Sequence, residues 1–330
     1  MKKAVIFLSF ATLVFSGCET IVAVDTPPHT PRLALTYTLS NQAPSSEYQN
    51  FFEGRELFVS VSQGALEVKQ PTGRGDASVE LVNEAGQTVE QFRSKARQGY
   101  NYTTGRPDSI YGYYVPARGF VGEPGQTYTL RASVPGVEAV EAKLTLPARA
   151  VIETGGYAIR QSNQLPSDAY PGRLTCSILD NAATTDYYLA YARVLDRNGQ
   201  YWGYVQLDYN SNNNPEINLT RPQFSVSQSN YSQYPFSDAG GNGQRLNLST
   251  DVYLRYGGRY DPASTYSKPG FIEIIVSSIT PEAYRFYQSL QRYYDTDGNP
   301  FAEPAPLFSN VRPGYGLFGG STDVTYRIAL

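Results

Sequence analysis

The chemistry open to this chain is narrowed by its one histidine and two cysteines. His29 stands among prolines near the N-terminus and is far in sequence from Cys176. A serine–histidine or cysteine–histidine relay therefore has no obvious parts, and a zinc site lacks ligands. No His-Glu-x-x-His helix, phosphate loop, Cys-x-x-Cys pair or Gly-x-Ser-x-Gly elbow occurs. Neither a cofactor nor a metal is expected. Carboxylate chemistry stays open, because the chain holds 30 Asp and Glu residues and a glycosidase mechanism needs only two acids across a cleft. Spacing does not single out which two. Asp295-Thr296-Asp297-Gly298-Asn299 resembles a calcium loop, but the glycine comes too early and the closing glutamate is missing.

Cys18 belongs to a different chemistry. Lys2 and Lys3 give a basic start, Ala4 to Phe15 form an apolar run, and Ser16 and Gly17 place small residues directly before Cys18. That order reads as a secretory signal over 1–17 ending in a lipoprotein cleavage box, with a run too short to span a bilayer. Cys18 is expected to carry acyl chains and to hold the protein on a membrane. Cys176 is then left without a partner in the chain. It alternates with polar residues between Leu174 and Ile178, so it is expected to face a core.

Composition points outward as well. Charged residues make up only 17% while Tyr contributes 28 residues, so much of the surface must be tyrosine and uncharged polar side chains. Loss of Lys2 and Lys3 with the signal takes the formal charge from −3 to −5. With no basic stripe in the sequence, nucleic acid is not an expected partner. The weak candidates for ligand or partner contact are aromatic. Trp202 and Tyr204 share a strand face opposite Val205 and Leu207, and are expected to point outward. Phe224, Tyr231, Tyr234 and Phe236 punctuate a polar stretch, 209–245, long enough to suggest a contact surface. Asp108-Ser109-Ile110 fits a short acidic–hydroxyl–aliphatic pattern for O-glycosylation at Ser109.

The elements that would position these residues are mainly strands. Residues 18–31 read as a lipidated tether, kept extended by Pro27, Pro28 and Pro31. From Arg32 the pattern has period two. Leu57, Val59 and Val61 alternate with polar or aromatic neighbours, as do Val79 and Leu81. Thr127 to Leu146 reads as a hairpin around Pro135-Gly136, with Tyr128, Leu130, Ala132 and Val134 facing Val140, Ala142, Leu144 and Leu146. These strands predict an immunoglobulin-like β-sandwich over 32–147, ended by Pro147. A second β-rich domain is expected over 148–330. Its strands include 186–195 and 201–207, joined by an Asn198-Gly199 turn, and 271–279. It also carries one helix, 281–294, capped by Thr280 and laying Ala283, Phe286, Tyr287, Leu290 and Tyr294 on a sheet.

The C-terminal run carries a resemblance. Thr280-Pro281-Glu282-Ala283-Tyr284, then Gly298-Asn299-Pro300-Phe301, then Phe308-Ser309-Asn310-Val311-Arg312-Pro313-Gly314-Tyr315-Gly316 follow in the order seen in domain-of-unknown-function family 4249. With Cys18 and the Gly125-Gln126-Thr127-Tyr128 strand, the chain resembles that family of Bacteroidota lipoproteins over nearly its whole length. The resemblance implies an outer-membrane, surface-facing lipoprotein, often encoded beside TonB-dependent transporters, and it implies no particular chemistry. The expected function is therefore a non-enzymatic accessory or ligand-capture subunit of such a transporter, touching lipid through Cys18 and a TonB-dependent barrel as partner. The alternatives are a surface glycan hydrolase using paired carboxylates and a structural subunit of an outer-membrane assembly complex.

Overall fold

The computed structural model describes residues 28–43, 55–64, 72–101, 105–160, 170–209, 211, 221–226, 233–257, 268–296 and 305–330. Cys18 and Tyr231 lie outside the described residues. Met1–Thr30 with Gln63–Lys69 form one compact unit, of which only 28–30 and 63–64 are described. Pro31–Ser62 with Gln70–Leu330 form the other, and all that follows concerns it.

Among the described residues the fold is mainly β with one helix, as expected. In chain order the strands of its first part are β1 (Leu33–Ser40), β2 (Leu57–Val61), β3 (Ser78–Asn83), β4 (Thr88–Ser94), β5 (Arg97–Asn101), β6 (Arg106–Ile110), β7 (Tyr113–Pro116), β8 (Thr127–Val134) and β9 (Val137–Thr145). Then follow β10 (Val151–Ile159), β11 (Tyr170–Leu179), β12 (Tyr187–Asp196), β13 (Tyr201–Leu207), β14 (Phe236–Ser237), β15 (Arg245–Tyr256), β16 (Pro269–Ile279), the helix α1 (Pro281–Thr296) and β17 (Tyr315–Ala329). One hydrogen-bonded path runs β10-β11-β15-β13-β12-β16-β17-β1-β2-β7-β4-β3-β8-β9, with β14 on β12, while β5 and β6 pair apart.

β17 is the spine of that path. Its first half runs parallel to β1, from Ala34 opposite Tyr315 to Ser40 opposite Ser321. Its second half runs antiparallel to β16, from Ile279 opposite Ser321 to Phe271 opposite Ala329. Gly316 makes the start of this strand possible. It sits at φ +112°, and a Cβ there would lie 1.8 Å from the Leu35 carbonyl oxygen, so only glycine lets the two backbones approach.

The period-two reading holds where it was clearest. Tyr128, Leu130, Ala132 and Val134 of β8 and Val140, Ala142 and Leu144 of β9 are all buried, and Gly136 takes φ +79° in the turn. They join Leu33, Leu35, Leu57, Val59, Leu81 and Tyr114 in a first core. Val311 and Phe318, far along the chain, complete that core. A second core gathers Leu174, Cys176, Ile178, Val194, Val205, Leu248, Val252, Ile272 and Ile274. Burial there pushes the Cys176 thiol up to about 12, so it behaves as a small hydrophobe.

α1 covers the face of β12, β16 and β17 opposite the second core. The Thr280 hydroxyl accepts the Ala283 amide at 3.4 Å as a cap, and Pro281 opens the first turn. Ala283 and Tyr287 pack with Leu189, Tyr191, Ile275, Ile279 and Leu317. The expected face runs out before its end, because Tyr294 is 61% exposed where the helix passes beyond the sheet.

Candidate functional site

The aromatic candidates separate into core and surface. Trp202 is 5% exposed and lies in the second core, edge-on to Tyr170 and Tyr256. The outward orientation expected for it is corrected by a bulge. Leu195 pairs with Tyr201 and Val194 with Gly203, so Trp202 is the extra residue and turns to the side of Val205. Tyr204 keeps the other face, half-buried, between Arg193 and Arg255. Phe224 and Phe236 are also core residues. Phe224 bridges Ala190, and Phe236 pairs with Tyr188, so both complete the edge of β12 where β13 diverges from it. Tyr234 is half-buried beside them, its amide donating to the Ser225 hydroxyl at 3.0 Å. Ser109 is exposed on β6, with its amide donating to the Asp108 carboxylate.

Carboxylates converge at two places. Asp208 and Asp251 are buried and clamped by arginines. Arg160 donates to Asp208 at 2.5 Å and pairs with Asp251 at 3.1 Å, while Arg173 donates to the other Asp251 oxygen at 2.7 Å. The Tyr253 hydroxyl donates to Asp208 at 2.6 Å and the Ser211 hydroxyl to Asp251 at 2.5 Å. Burial alone would raise the Asp251 pKa, but Arg173, Ser211 and Arg160 hold it down to about 2. An acid so held stays ionised and suits a structural clamp rather than proton donation.

Asp180, Asp186 and Asp238 form the second group, with one oxygen of each within 4.8 Å of the others. Asp180 accepts the Tyr188 hydroxyl at 2.7 Å and the Gly243 amide at 2.8 Å. Asp238 accepts the Asp186 amide at 2.8 Å, and Asp186 accepts the Thr184 hydroxyl at 2.7 Å. Burial, then the neighbouring Asp180 and Asp238, pushes the Asp186 carboxyl above its ordinary range. Such a group can share a proton or hold a cation. Its bonds also fasten the 181–186 turn and the 238–243 loop to the ends of β11 and β12.

A third polar cluster lies under α1. Arg55 grips Asp323 through both guanidinium ends, at 2.5 and 2.7 Å, and donates to Ser277 at 3.3 Å. Arg55 and Ser277, with Thr38, Tyr191, Tyr287 and Ser321, line a small cavity of about 10 Å³, room for a single water. Among the described residues the Ser321 hydroxyl has no hydrogen-bond partner there, a pattern that a bridging water satisfies.

The arrangement the sequence hid is a row across the C-terminal sheet. Arg255 of β15 stands opposite Tyr204 of β13, Tyr204 opposite Arg193 of β12, Arg193 opposite Glu273 of β16, and Glu273 opposite Arg327 of β17. Cross-strand partners share a face, so these side chains stand side by side, away from the second core. The Glu273 carboxylate organises the row. Arg193 donates to one oxygen from Nε at 2.6 Å, with Nη2 also at 2.6 Å, and Arg327 donates to the other at 2.8 Å. Glu273 and Arg193 are nearly sealed, at 3% and 6% side-chain exposure, whereas Arg327 is 56% exposed. Arg255 donates to Gln206 at 3.1 Å. Tyr201 borders the row at 41% exposure, and a Cβ on Gly257 would lie 2.8 Å from its hydroxyl. Burial raises the Tyr201 pKa, Tyr204 adds to the rise and Arg193 opposes it, so the three share one neighbourhood.

These features define a class: among the described residues, a mainly β protein with one covering helix and a row of paired charges, Arg193, Glu273 and Arg327, on the face of β12, β16 and β17 away from the second core. The chain belongs to the family described as Domain of unknown function (DUF4249), whose model matches residues 19–327. No curated protein matches it.

Proposed function

We propose that this protein is a non-enzymatic, lipid-anchored component of the outer membrane, facing the cell surface, that serves a TonB-dependent transporter as an accessory or ligand-capture subunit. One observation carries the reading. The family match begins at residue 19, one position past Cys18, where cleavage at the lipoprotein box would start the mature chain. The shared part of the family is thus the part a lipid anchor would display. No helix among the described residues is long and apolar enough to cross a membrane, so attachment in this reading falls to the acyl chains on Cys18.

The test is affinity purification of C-terminally tagged protein from gently solubilised outer membranes, with mass spectrometry of the eluate and of the N-terminal peptide. A TonB-dependent barrel in near-equal amount and a diacylated or triacylated Cys18 are the expected results. An unacylated protein found in the soluble fraction would sink the reading. A structural subunit of an assembly complex would bring down a membrane partner yet bind no small molecule. The hydrolase alternative would draw on the Asp180–Asp186–Asp238 group, where burial and the neighbouring acids raise the Asp186 carboxyl. Glycan cleavage by the purified protein, lost in Asp186→Asn, would establish it.

A further inference from the structure

The end of the C-terminal sheet is a tip built from strand ends. The ladders bring the end of β10, the start of β11, the end of β15, the β12–β13 turn, the start of β16 and the end of β17 to one place. Large apolar side chains stay exposed there: Ile159, at 76%, with Tyr201, Tyr256 and Leu330. Contacts tie these pieces together. Ile159 stands opposite Gly172, which lies against the Tyr157 ring, and the Tyr157 hydroxyl donates to the Tyr170 carbonyl at 2.7 Å. Trp202 lies beneath, edge-on to Tyr170 and Tyr256. Gly257, next after Tyr256, adjoins the Tyr201 hydroxyl. The Leu330 amide donates to the Gly270 carbonyl at 2.9 Å, and a Cβ on Gly270 would lie 2.6 Å from the Arg197 amide nitrogen. Apolar side chains left exposed together over a packed aromatic floor mark an interaction surface.

Charge around the tip narrows what it can meet. Arg197 on the β12–β13 turn and Lys268 before β16 are exposed and make no ion pair among the described residues. Arg327 reaches the same turn, 3.9 Å from where a Cβ on Gly199 would lie, and stays 56% exposed while bonded to Glu273. Asp196 is occupied within its own turn, accepting the Asn198 and Gln200 amides at 2.8 and 2.9 Å. The rim is thus cationic on a chain whose formal charge is −3, and its complement is an anionic partner. The apolar centre decides the class of that partner. Ile159 and Leu330 have little to meet on a sugar acid or a phosphate, whereas a polypeptide brings aliphatic and aromatic side chains to an apolar centre inside a charged rim. Position argues against lipid of the anchoring membrane. Arg32, through which the chain runs on to Cys18, donates to the Pro313 carbonyl at 3.2 Å beside the start of β17. The tip lies at the other end of that 15-residue strand, ~46 Å along it at about 3.3 Å per step. We propose that the tip, with Ile159, Tyr201, Tyr256 and Leu330 inside the cations Arg197, Lys268 and Arg327, binds an acidic polypeptide. The inference rests on the ligand-capture reading and names the chemical class of that ligand.

The experiment is surface plasmon resonance on the full-length, lipidated protein held in phosphatidylcholine nanodiscs, with empty nanodiscs as the blank. The probes are a glutamate–leucine oligopeptide, its lysine–leucine counterpart, oligoglutamate, and phosphatidylglycerol vesicles. The glutamate–leucine peptide is expected to bind more tightly than oligoglutamate, with affinity falling as NaCl is raised. Arg197→Glu with Lys268→Glu is expected to weaken it roughly tenfold. Lys95→Glu with Lys143→Glu makes the same change of net charge far from the tip and is expected to leave the affinity unchanged. Ile159→Ser is expected to weaken the glutamate–leucine peptide while leaving oligoglutamate unchanged. All five positions are exposed, so the fold is spared. Equal affinity for the lysine–leucine peptide, undiminished binding after charge reversal at the tip, or an equal loss in the Lys95/Lys143 variant would overturn the proposal. Preference for the vesicles would overturn it too, by making the partner a lipid surface. Recovery of a barrel from membranes with no peptide binding would remove the ligand class while leaving the transporter reading intact. Peptide binding without a barrel would do the reverse.

Discussion

Glu273→Gln tests whether the charged row is held from beneath. In the folded protein the carboxylate accepts from Arg193 at 2.6 Å and from Arg327 at 2.8 Å, and its own side chain is 3% exposed. Glutamine keeps one acceptor oxygen and replaces the other with a donor facing a guanidinium. Arg327 is 56% exposed and can turn to water, so its lost contact costs under ~1 kcal/mol. Arg193, at 6%, cannot. Stranding a buried charge costs about 3–5 kcal/mol, so Glu273→Gln should lose about 3 kcal/mol, a large fraction of the 5–15 kcal/mol typical of native stability. Replacing both partners by apolar residues, Arg193→Met with Glu273→Leu, should return within about 1–2 kcal/mol of the parent, since no charge is left buried alone. Arg327→Gln should cost under ~1 kcal/mol. Urea unfolding followed by circular dichroism reads all four proteins, with shifts in midpoint at constant slope as the expected form. The reasoning fails if Arg327→Gln costs as much as Glu273→Gln, or if the apolar pair is worse than the single change.

Gly316→Ala should cost at least about 3 kcal/mol or abolish soluble yield, because it adds a clash with the Leu35 carbonyl to an unfavourable φ. Gly86→Ala, at φ +78° with nothing within 4 Å, should cost only about 1 kcal/mol by the same urea unfolding. The buried Glu90 carboxylate accepts amides of Gln91, Ala117, Arg118 and Phe120, and these bonds outweigh burial to hold its pKa below the ordinary range. Its stability contribution is therefore present at neutral pH and fades as pH falls through the folded pKa. Glu90→Gln should cost about 2–3 kcal/mol at pH 7, and the gap should close in acid. Asp186 has the opposite sign. Its raised pKa means the folded state favours the protonated form, so Asp186→Asn should raise the urea midpoint at pH 7, with the gain vanishing below about pH 4. Cys176, pushed up to about 12 by burial, should resist a thiol reagent at pH 7.5 in the native state and react at once in urea.

Legibility in the sequence tracked how local the cause was. The β8–β9 hairpin was readable because Pro135-Gly136 and the alternation around it act within one turn and two strands. The α1 start was readable because Thr280 and Pro281 act on the next few residues. The Cys176 environment followed from its two neighbours on the same strand face. Trp202 was misread by the same local rule, because a bulge depends on the partner strand. Nothing in Tyr201-Trp202-Gly203 announces that Val194 and Leu195 will leave one residue over. Phe224 and Phe236 were misread for a related cause. A polar stretch with spaced aromatics looks like a loop displaying rings, until the gap beside β12 is known to need filling.

The charged row marks where local reading stops. Tyr204, Arg255 and Arg327 occupy ordinary strand positions, Arg193 and Glu273 are lone charges in the apolar runs of β12 and β16, and none has a partner at any motif spacing. What joins them is the register of five neighbouring strands, fixed by turns, a bulge and the β17 spine rather than by the five residues themselves. A shift of one residue in any of those strands would turn its member of the row toward the apolar core and send a core residue to the outer face. The apolar alternation that builds the second core therefore also assembles the row. Motif searches see catalytic elbows and phosphate loops because those sites are made by one stretch of chain. A charge cluster written across strands is legible only after the sheet is ordered, because its members meet through register and not through spacing along the chain.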